Sequence, residues 1–330
     1  MIISKTPYRV SLFGGSTDYE SFYKDHGSFL LGFGLNKYQY VTVHNLPHGS
    51  KNFIEFHGNE VVEKVGNISE LHNRAVRGTL EYMDWKTPIY ISTNGDVQTQ
   101  TGLGSSSSFI VGLLKALDRL KGVSTSRKAL ANDAIYIERV ELDEAGGVQD
   151  QIWATYGGFN SIKINAKGNF ATRPLPLSKK FLSYFKKHSV LIYTGQQRDS
   201  FNVAESHDNY DNRTEQIGYK KEMLKIAKFA YWQGFVREDL SVISEWVRRS
   251  WELKKQISPL VSSERVDELC NIVKSCGASG WKLLGCGKDG FLFCVVENMD
   301  SFKFKMNTAY LGVSYVDIGF DWKGSRVIKK

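Results

Sequence analysis

Residues 101–108 read Thr-Gly-Leu-Gly-Ser-Ser-Ser-Ser and run directly into an apolar segment, Phe109 to Leu114. Apolar residues recur at Ile110, Leu113, Leu114, Leu117 and Leu120, the spacing of a helix with one buried face. A flexible linker would carry polar sequence on both sides instead. The stretch therefore predicts a helix over about 105–121, and a helix start suits an anion. Its first backbone N–H groups lack internal acceptors and carry the positive end of the dipole. Gly102 and Gly104 allow close approach of a phosphate where a Cβ would intrude. Serine hydroxyls add donors to phosphate oxygens, or an oxygen ligand for Mg²⁺.

Three further places hold chemistry-bearing side chains. Glu138 shares an apolar stripe with Ala131, Ile135 and Leu142 on a helix expected over 127–143. A carboxylate there is costly unless it is paired or bound to metal, so either a nearby arginine or a cation is expected. Asp150 follows Gly146-Gly147-Val148-Gln149, where two glycines expose a short acid at a loop end; an ordinary turn aspartate is the other reading. Thr6 to Tyr19 leaves a strand, turns at Gly14-Gly15, and presents Arg9 and Asp18; for Asp18 an Asx cap is the alternative.

These residues must be positioned by a mixed set of elements. Period-two alternation predicts strands at 38–44, 53–57 and 89–92, with further strands at 159–165 and 189–194. Residues 166–187 are polar and contain proline, a candidate domain boundary. Beyond them, helical patterns at 213–234, 239–255 and 262–276 precede strands near 290–297 and 313–318. Without a regular βαβ alternation, the pattern is that of two α+β domains, 1–175 and 176–330.

Composition narrows the function classes. With 42% hydrophobic and 24% charged residues, the chain is globular. No apolar run approaches the roughly 20 residues that span a bilayer, and the N-terminus lacks a signal-peptide pattern, so a cytoplasmic protein without a membrane partner is expected. Cys270, Cys276, Cys286 and Cys294 form no CxxC pair and read as buried reduced thiols. The net charge of +8 favours anionic partners, but the basic clusters are short, which argues for small phosphorylated ligands over nucleic acid. Gly285 to Gly290 matches GxGxxG, yet Phe291 to Val296 after it is strand chemistry, where a dinucleotide fingerprint needs a helix. A tight turn into a core strand is the plain alternative.

Taken together, Pro7 to Asp18, Gly102 to Ser108 and Gly277 to Gly290 resemble, in order, the three motifs of the GHMP family of small-molecule kinases. Arg9 and Asp18, nine apart, and Glu138 and Asp150, twelve apart, are spaced as in its galactokinase branch. The stretches GGSTD, GGVQDQIWATYGGFN, YTGQQRDS and SWELKKQIS extend the resemblance to its heptose 7-phosphate kinases, over nearly the whole chain. The Gly-Gly-x-Thr-Asp variant is shared with L-fucose kinases. Departures are Gly15-Ser16 for an acidic-His pair, Gln98 to Thr101 before the phosphate loop, and the bulky Trp281, Lys288 and Asp289 in the third motif.

The resemblance implies an S5-like N-terminal domain, a ferredoxin-like C-terminal domain, and ATP and sugar meeting in the cleft between them. It implies that the amides of Gly102, Leu103, Gly104, Ser105, Ser106 and Ser107 cradle the phosphates, and that Ser106 and Glu138 hold Mg²⁺. Asp150 would deprotonate or orient an anomeric hydroxyl with Arg9 beside it, and Gly15, Ser16, Thr17 and Asp18 would meet the sugar. Arg198 is the candidate for a second anion pocket, if it is not a solvated loop arginine. A fucose-type acceptor, a non-catalytic sugar-binding relative and a homodimer stay open.

Overall fold

Burial alternates and then runs continuously along Ile2–Phe13 (β1), a strand whose second half is buried on both faces, its apolar Tyr8, Val10 and Leu12 alternating with Arg9 and Ser11. The computed structural model describes all residues except 48, 59, 60, 99, 100, 196–199, 207–212, 311 and 330. β1 runs antiparallel to the long Ser28–Asn45 (β2), with register shifts between Pro7 and Arg9 and between Ser11 and Phe13. Such irregularities increase local twist and re-aim side chains, and this pair brackets Arg9.

The first sheet continues with Ile54–His57 (β3), Val62–Val65 (β4), Ile89–Gly95 (β5), Phe159–Ile164 (β6) and Phe170–Pro174 (β7). The second sheet holds Ser189–Tyr193 (β8), Ala278–Leu283 (β9), Phe291–Val296 (β10) and Ser314–Asp317 (β11). Arg326–Lys329 (β12) returns to the first. The first sheet runs β12-β1-β2-β5-β3-β4, with β6 beside β2 and β7 beside β6. The second runs β11-β8-β10-β9, all antiparallel. Renumbered within that half, the order is 4-1-3-2, the ferredoxin-like arrangement.

The helices are Glu20–His26 (α1), Arg74–Tyr82 (α2), Ser105–Leu120 (α3), Arg127–Tyr136 (α4), Gln149–Tyr156 (α5), Lys179–Lys187 (α6), Ser200–Ser206 (α7), Arg213–Phe229 (α8), Leu240–Lys255 (α9), Glu264–Ser275 (α10) and Met299–Ala309 (α11). None of the described helices is long and apolar enough to cross a membrane.

Residues 166–187, the candidate domain boundary, contain β7 and α6: Ser178 caps α6 by accepting from the Phe181 amide, and Phe181 and Phe185, four apart, are buried. One expectation changes. The helix expected over 127–143 ends at Tyr136 and continues as a π turn, Ile137–Glu141. One hydrophobic core joins the sheets: Tyr8, Val10, Phe33, Leu103 and Phe159 cluster with Phe185, Leu191, Val247, Phe291 and Phe293. This shared core fixes the walls of the cleft between the two halves.

Candidate active site

The cleft, about 470 Å³, is lined from both halves, by β1, the loop before α3, the π turn and the start of α5 on one side and by α9, β9 and the turn after β9 on the other. At its floor Arg9 grips Asp150 with two bonds, Nε to Oδ1 at 2.7 Å and Nη2 to Oδ2 at 2.5 Å. Its third nitrogen, Nη1, donates to the Gly102 carbonyl, and its backbone amide donates to Leu103. One arginine thus ties the carboxylate to the phosphate loop. Arg9 is 5% exposed and Asp150 23%, so the carboxylate faces the cleft and the guanidinium lies behind it.

Gly104, the residue before α3, is left-handed at φ 77°. A Cβ there would come within 3.2 Å of Asp150 Oδ2, so this glycine brings the helix start over the ion pair. Ser105, Ser106 and Ser107 border the cleft together with Gly102 and Gly104. Leu103 turns its side chain into the core and serves the site only through its backbone. Ser106 is exposed, whereas Ser107 is buried and donates to Glu138 Oε2 at 2.9 Å.

Glu138 is 1% exposed. Its Oε2 accepts from Ser107, from Arg139 at 3.1 Å and from Gln151, so the nearby arginine expected from sequence is present. Its Oε1, equally buried, has no hydrogen-bond partner among the described residues. Burial raises the carboxyl to about 7, against the pull of Arg139. An orphaned carboxylate oxygen beside serine hydroxyls at a helix start is an oxygen donor set that fits Mg²⁺. Among the described residues no group of three or more His, Cys, Asp or Glu forms a metal cluster, so the other ligands would come from phosphate and water.

Asp18 is fully buried and accepts from the Gln149 amide at 3.1 Å and from Gln149 Nε2 at 3.2 Å. Burial and the neighbouring Asp150 raise it to about 6, while the Gln149 amide and Arg9 oppose the shift. A Cβ at Gly147 would fall 1.8 Å from Asp18 Oδ2, so the glycine makes room for this acid.

Gly15 and Ser16 line the cleft beside Asp18. Thr17 corrects its expected role: it faces inward, fully buried, donating to the Gly14 carbonyl at 2.6 Å and meeting Ser28 Oγ at 2.7 Å. Trp281 belongs to the core under the second sheet, and Lys288 is exposed at φ 72°, so neither adds bulk to the cleft. The turn from Gly285 to Gly290 is both a tight turn and a neighbour of the phosphate loop: the Phe291 amide donates to the Thr101 carbonyl at 3.0 Å. Arg198 lies outside the described residues.

Sequence reasoning missed four residues. Gln149 and Gln151 flank Asp150 on the first turn of α5, and with it hold Asp18, Arg9 and Glu138 in place. Lys254 and Lys282 enter the cleft from the second half. The signals were a Gln-Asp-Gln run before an apolar helix, and a lysine in the otherwise apolar Trp281 to Leu284.

This arrangement sets the start of α3 over a carboxylate, with a buried acid whose donor set fits Mg²⁺ beside it. Residues 70–158 match the GHMP kinases N terminal domain, and the chain as a whole has the fold of solved GHMP kinases. Among relatives, a D-glycero-alpha-D-manno-heptose 7-phosphate kinase of Campylobacter jejuni is 26% identical over 90% of this chain and 89% of its own. A solved D-glycero-D-manno-heptose 1-phosphate kinase from Bacteriodes thetaiotaomicron superposes with a TM-score of 0.81 at 22% identity, covering 100% of this chain and 99% of that one. A Lactococcus lactis galactokinase solved with galactose superposes at 0.74 and 15% identity, over 98% and 94%.

Proposed function

We propose that the chain is an ATP-dependent sugar kinase that phosphorylates the anomeric hydroxyl of D-glycero-α-D-manno-heptose 7-phosphate, giving the 1,7-bisphosphate used to build a nucleotide-activated heptose. The observation that carries this reading is the Arg9–Asp150 pair, bound to the phosphate loop through Gly102 and facing the cleft beneath the start of α3. It puts a proton acceptor next to the place where a terminal phosphate would lie.

The amides of Gly102 to Ser107 bind the ATP phosphates. Glu138 and Ser106 would hold Mg²⁺, which would offset charge on those phosphates. Asp18, fixed by Gln149, accepts hydrogen bonds from sugar hydroxyls, with Gly15 and Ser16 beside it. Asp150 takes the proton of the anomeric hydroxyl as its oxygen attacks the γ-phosphorus and the bond to the β–γ bridging oxygen breaks, with ADP leaving. Arg9 holds Asp150 in place and balances its charge. Because the phosphoryl transition state spreads charge over phosphate oxygens, positioning and neutralisation supply most of what the reaction needs.

A coupled ADP-release assay across D-glycero-D-manno-heptose 7-phosphate, L-fucose, galactose and mevalonate tests the reading. The highest kcat/KM is expected with the heptose phosphate. A higher value with an unphosphorylated sugar keeps a sugar kinase and replaces the acceptor, and turnover of mevalonate alone removes the sugar reading.

A further inference from the structure

Asp18 is held at both of its oxygens by one residue. The Gln149 backbone amide donates to Oδ2 at 3.1 Å, and Gln149 Nε2 donates to Oδ1 at 3.2 Å. The other side of the same amide is taken as well: Ser11 Oγ, on β1, donates to Gln149 Oε1 at 2.7 Å. These bonds fix which way the amide points, because the reverse would set its oxygen against the Asp18 carboxylate. Ser11 and Asp18 are buried and Gln149 half-buried, and all three line the cleft. Gly15 lies beside them. A Cβ there would come within 3.5 Å of Ser11 Oγ and 3.6 Å of Gln149 Nε2, so the glycine leaves both atoms uncovered on that side.

A carboxamide nitrogen carries two hydrogens. One of those on Gln149 goes to Asp18; the other meets no acceptor among the described residues. Each Asp18 oxygen keeps accepting capacity beyond its Gln149 bond. The cleft therefore sets an N–H donor directly beside a carboxylate acceptor. Two hydroxyls on adjacent carbons of a sugar ring are the complement of that pair. One oxygen accepts from Nε2 while its neighbour donates to Asp18. A ligand with only one of the two leaves a mostly buried polar group unpaired, which costs more than the bond itself returns. Gln149 directly precedes Asp150 on α5, which sets the hydroxyl pair and the anomeric oxygen on the same ring.

We propose that Gln149 binds the sugar and determines specificity: its Nε2 donates to one hydroxyl of a vicinal pair whose other hydroxyl donates to Asp18. The inference rests on the sugar kinase reading and narrows the acceptor to sugars with two adjacent free hydroxyls on the ring that is phosphorylated. Ser11 is a positioning residue, which holds the Gln149 amide by its oxygen.

The experiment pairs a deleted hydroxyl with a deleted amide, on the whole protein. D-glycero-D-manno-heptose 7-phosphate and its 2-, 3- and 4-deoxy analogues are titrated calorimetrically into wild type and into Gln149→Met, which keeps the length of the side chain. Wild type should bind two of the analogues, deoxygenated at adjacent carbons, roughly 10–100-fold more weakly than the parent sugar. In Gln149→Met one of those penalties disappears and the other stays, because the backbone amide of residue 149 still holds Asp18. If Gln149 did no more than hold Asp18, the variant would weaken all four ligands and keep both penalties; that result overturns the proposal. Equal binding of parent and analogues by wild type overturns it too. Should Gln149→Met fail to fold, Ser11→Ala decides: a smaller penalty at one carbon supports the proposal, and unchanged penalties overturn it. If L-fucose binds in place of the heptose phosphate, its own deoxy analogues are used, and binding of neither sugar overturns the proposal. Binding needs no turnover. A Gln149-dependent penalty without ADP release keeps the proposal and removes the kinase reading, whereas ADP release with both penalties intact in Gln149→Met does the reverse.

Discussion

Asp150 works through its neighbours: Arg9 fixes both its oxygens, and its place on the first turn of α5 turns it toward the cleft. A positioned general base contributes about 10²–10⁴-fold, so Asp150→Asn is expected to lower kcat by that factor with little change in KM for ATP. Near-full activity in a single-turnover assay would remove the base. Asp18 makes a prediction about stability. Its carboxyl binds a proton more tightly in the folded chain than in the unfolded one, so its stabilising contribution is complete below about pH 4 and is lost as pH rises through about 6. Above that range the ionised, buried acid costs about 3 kcal/mol. Asp18→Asn should therefore melt above wild type at pH 8, with the advantage fading toward pH 4, while its KM for the sugar rises. Melting curves that run parallel across that range would contradict the assignment. Glu138 must lose its proton to bind a cation, so apparent Mg²⁺ affinity should fall up to about tenfold per pH unit below about 7. Titrating Mg²⁺ at pH 6 and 8 by kinetics checks this.

At the scale of elements, the start of α5 organises the site. Gln149, Asp150 and Gln151 reach in turn to Asp18, Arg9 and Glu138. Gly147, just before them, lacks a positive φ, so alanine there is compatible with the backbone and acts by displacing the buried Asp18 carboxyl. Gly147→Ala should fold with a melting temperature lowered by the cost of overpacking, about 1–3 kcal/mol, and lose about 10²-fold in kcat/KM for the sugar, the cost of roughly 1 Å of misplacement. An unaltered kcat/KM would show that Asp18 does not position the sugar. Much of this was legible in the residues. The Ile110, Leu113, Leu114 and Leu117 stripe marked α3, and the glycines before the serines marked its use. The π turn at Glu138 was not legible, because a widened turn keeps helical spacing to within a residue. Lys254 was hidden because on α9 it occupies the buried face of Val247 and Trp251, which only the packed structure reveals. Thr17 read as a sugar contact by its neighbours, but Gly14 turns the chain so that the hydroxyl closes the loop internally.

Across the whole molecule, charge and core act together. The shared aromatic core, with Phe33 against Phe185 and Phe159 against Phe235, holds the two sheets in one arrangement, so the lysines of one wall share the cleft with the acids of the other. For the anionic substrates proposed above, the net charge of +8 should assist encounter electrostatically. kcat/KM is expected to fall several-fold between about 20 and 200 mM NaCl, with kcat nearly constant, as screening shortens the reach of the field. The central claim, transfer of the γ-phosphoryl group to an anomeric oxygen activated by Asp150, is tested most directly by ³¹P NMR of the product formed from MgATP and D-glycero-D-manno-heptose 7-phosphate. The account predicts a new phosphate resonance coupled to the anomeric proton with the α configuration, appearing with ADP and slowed in Asp150→Asn. A new phosphate on any other carbon, or none while ATP is hydrolysed to free phosphate, would contradict it.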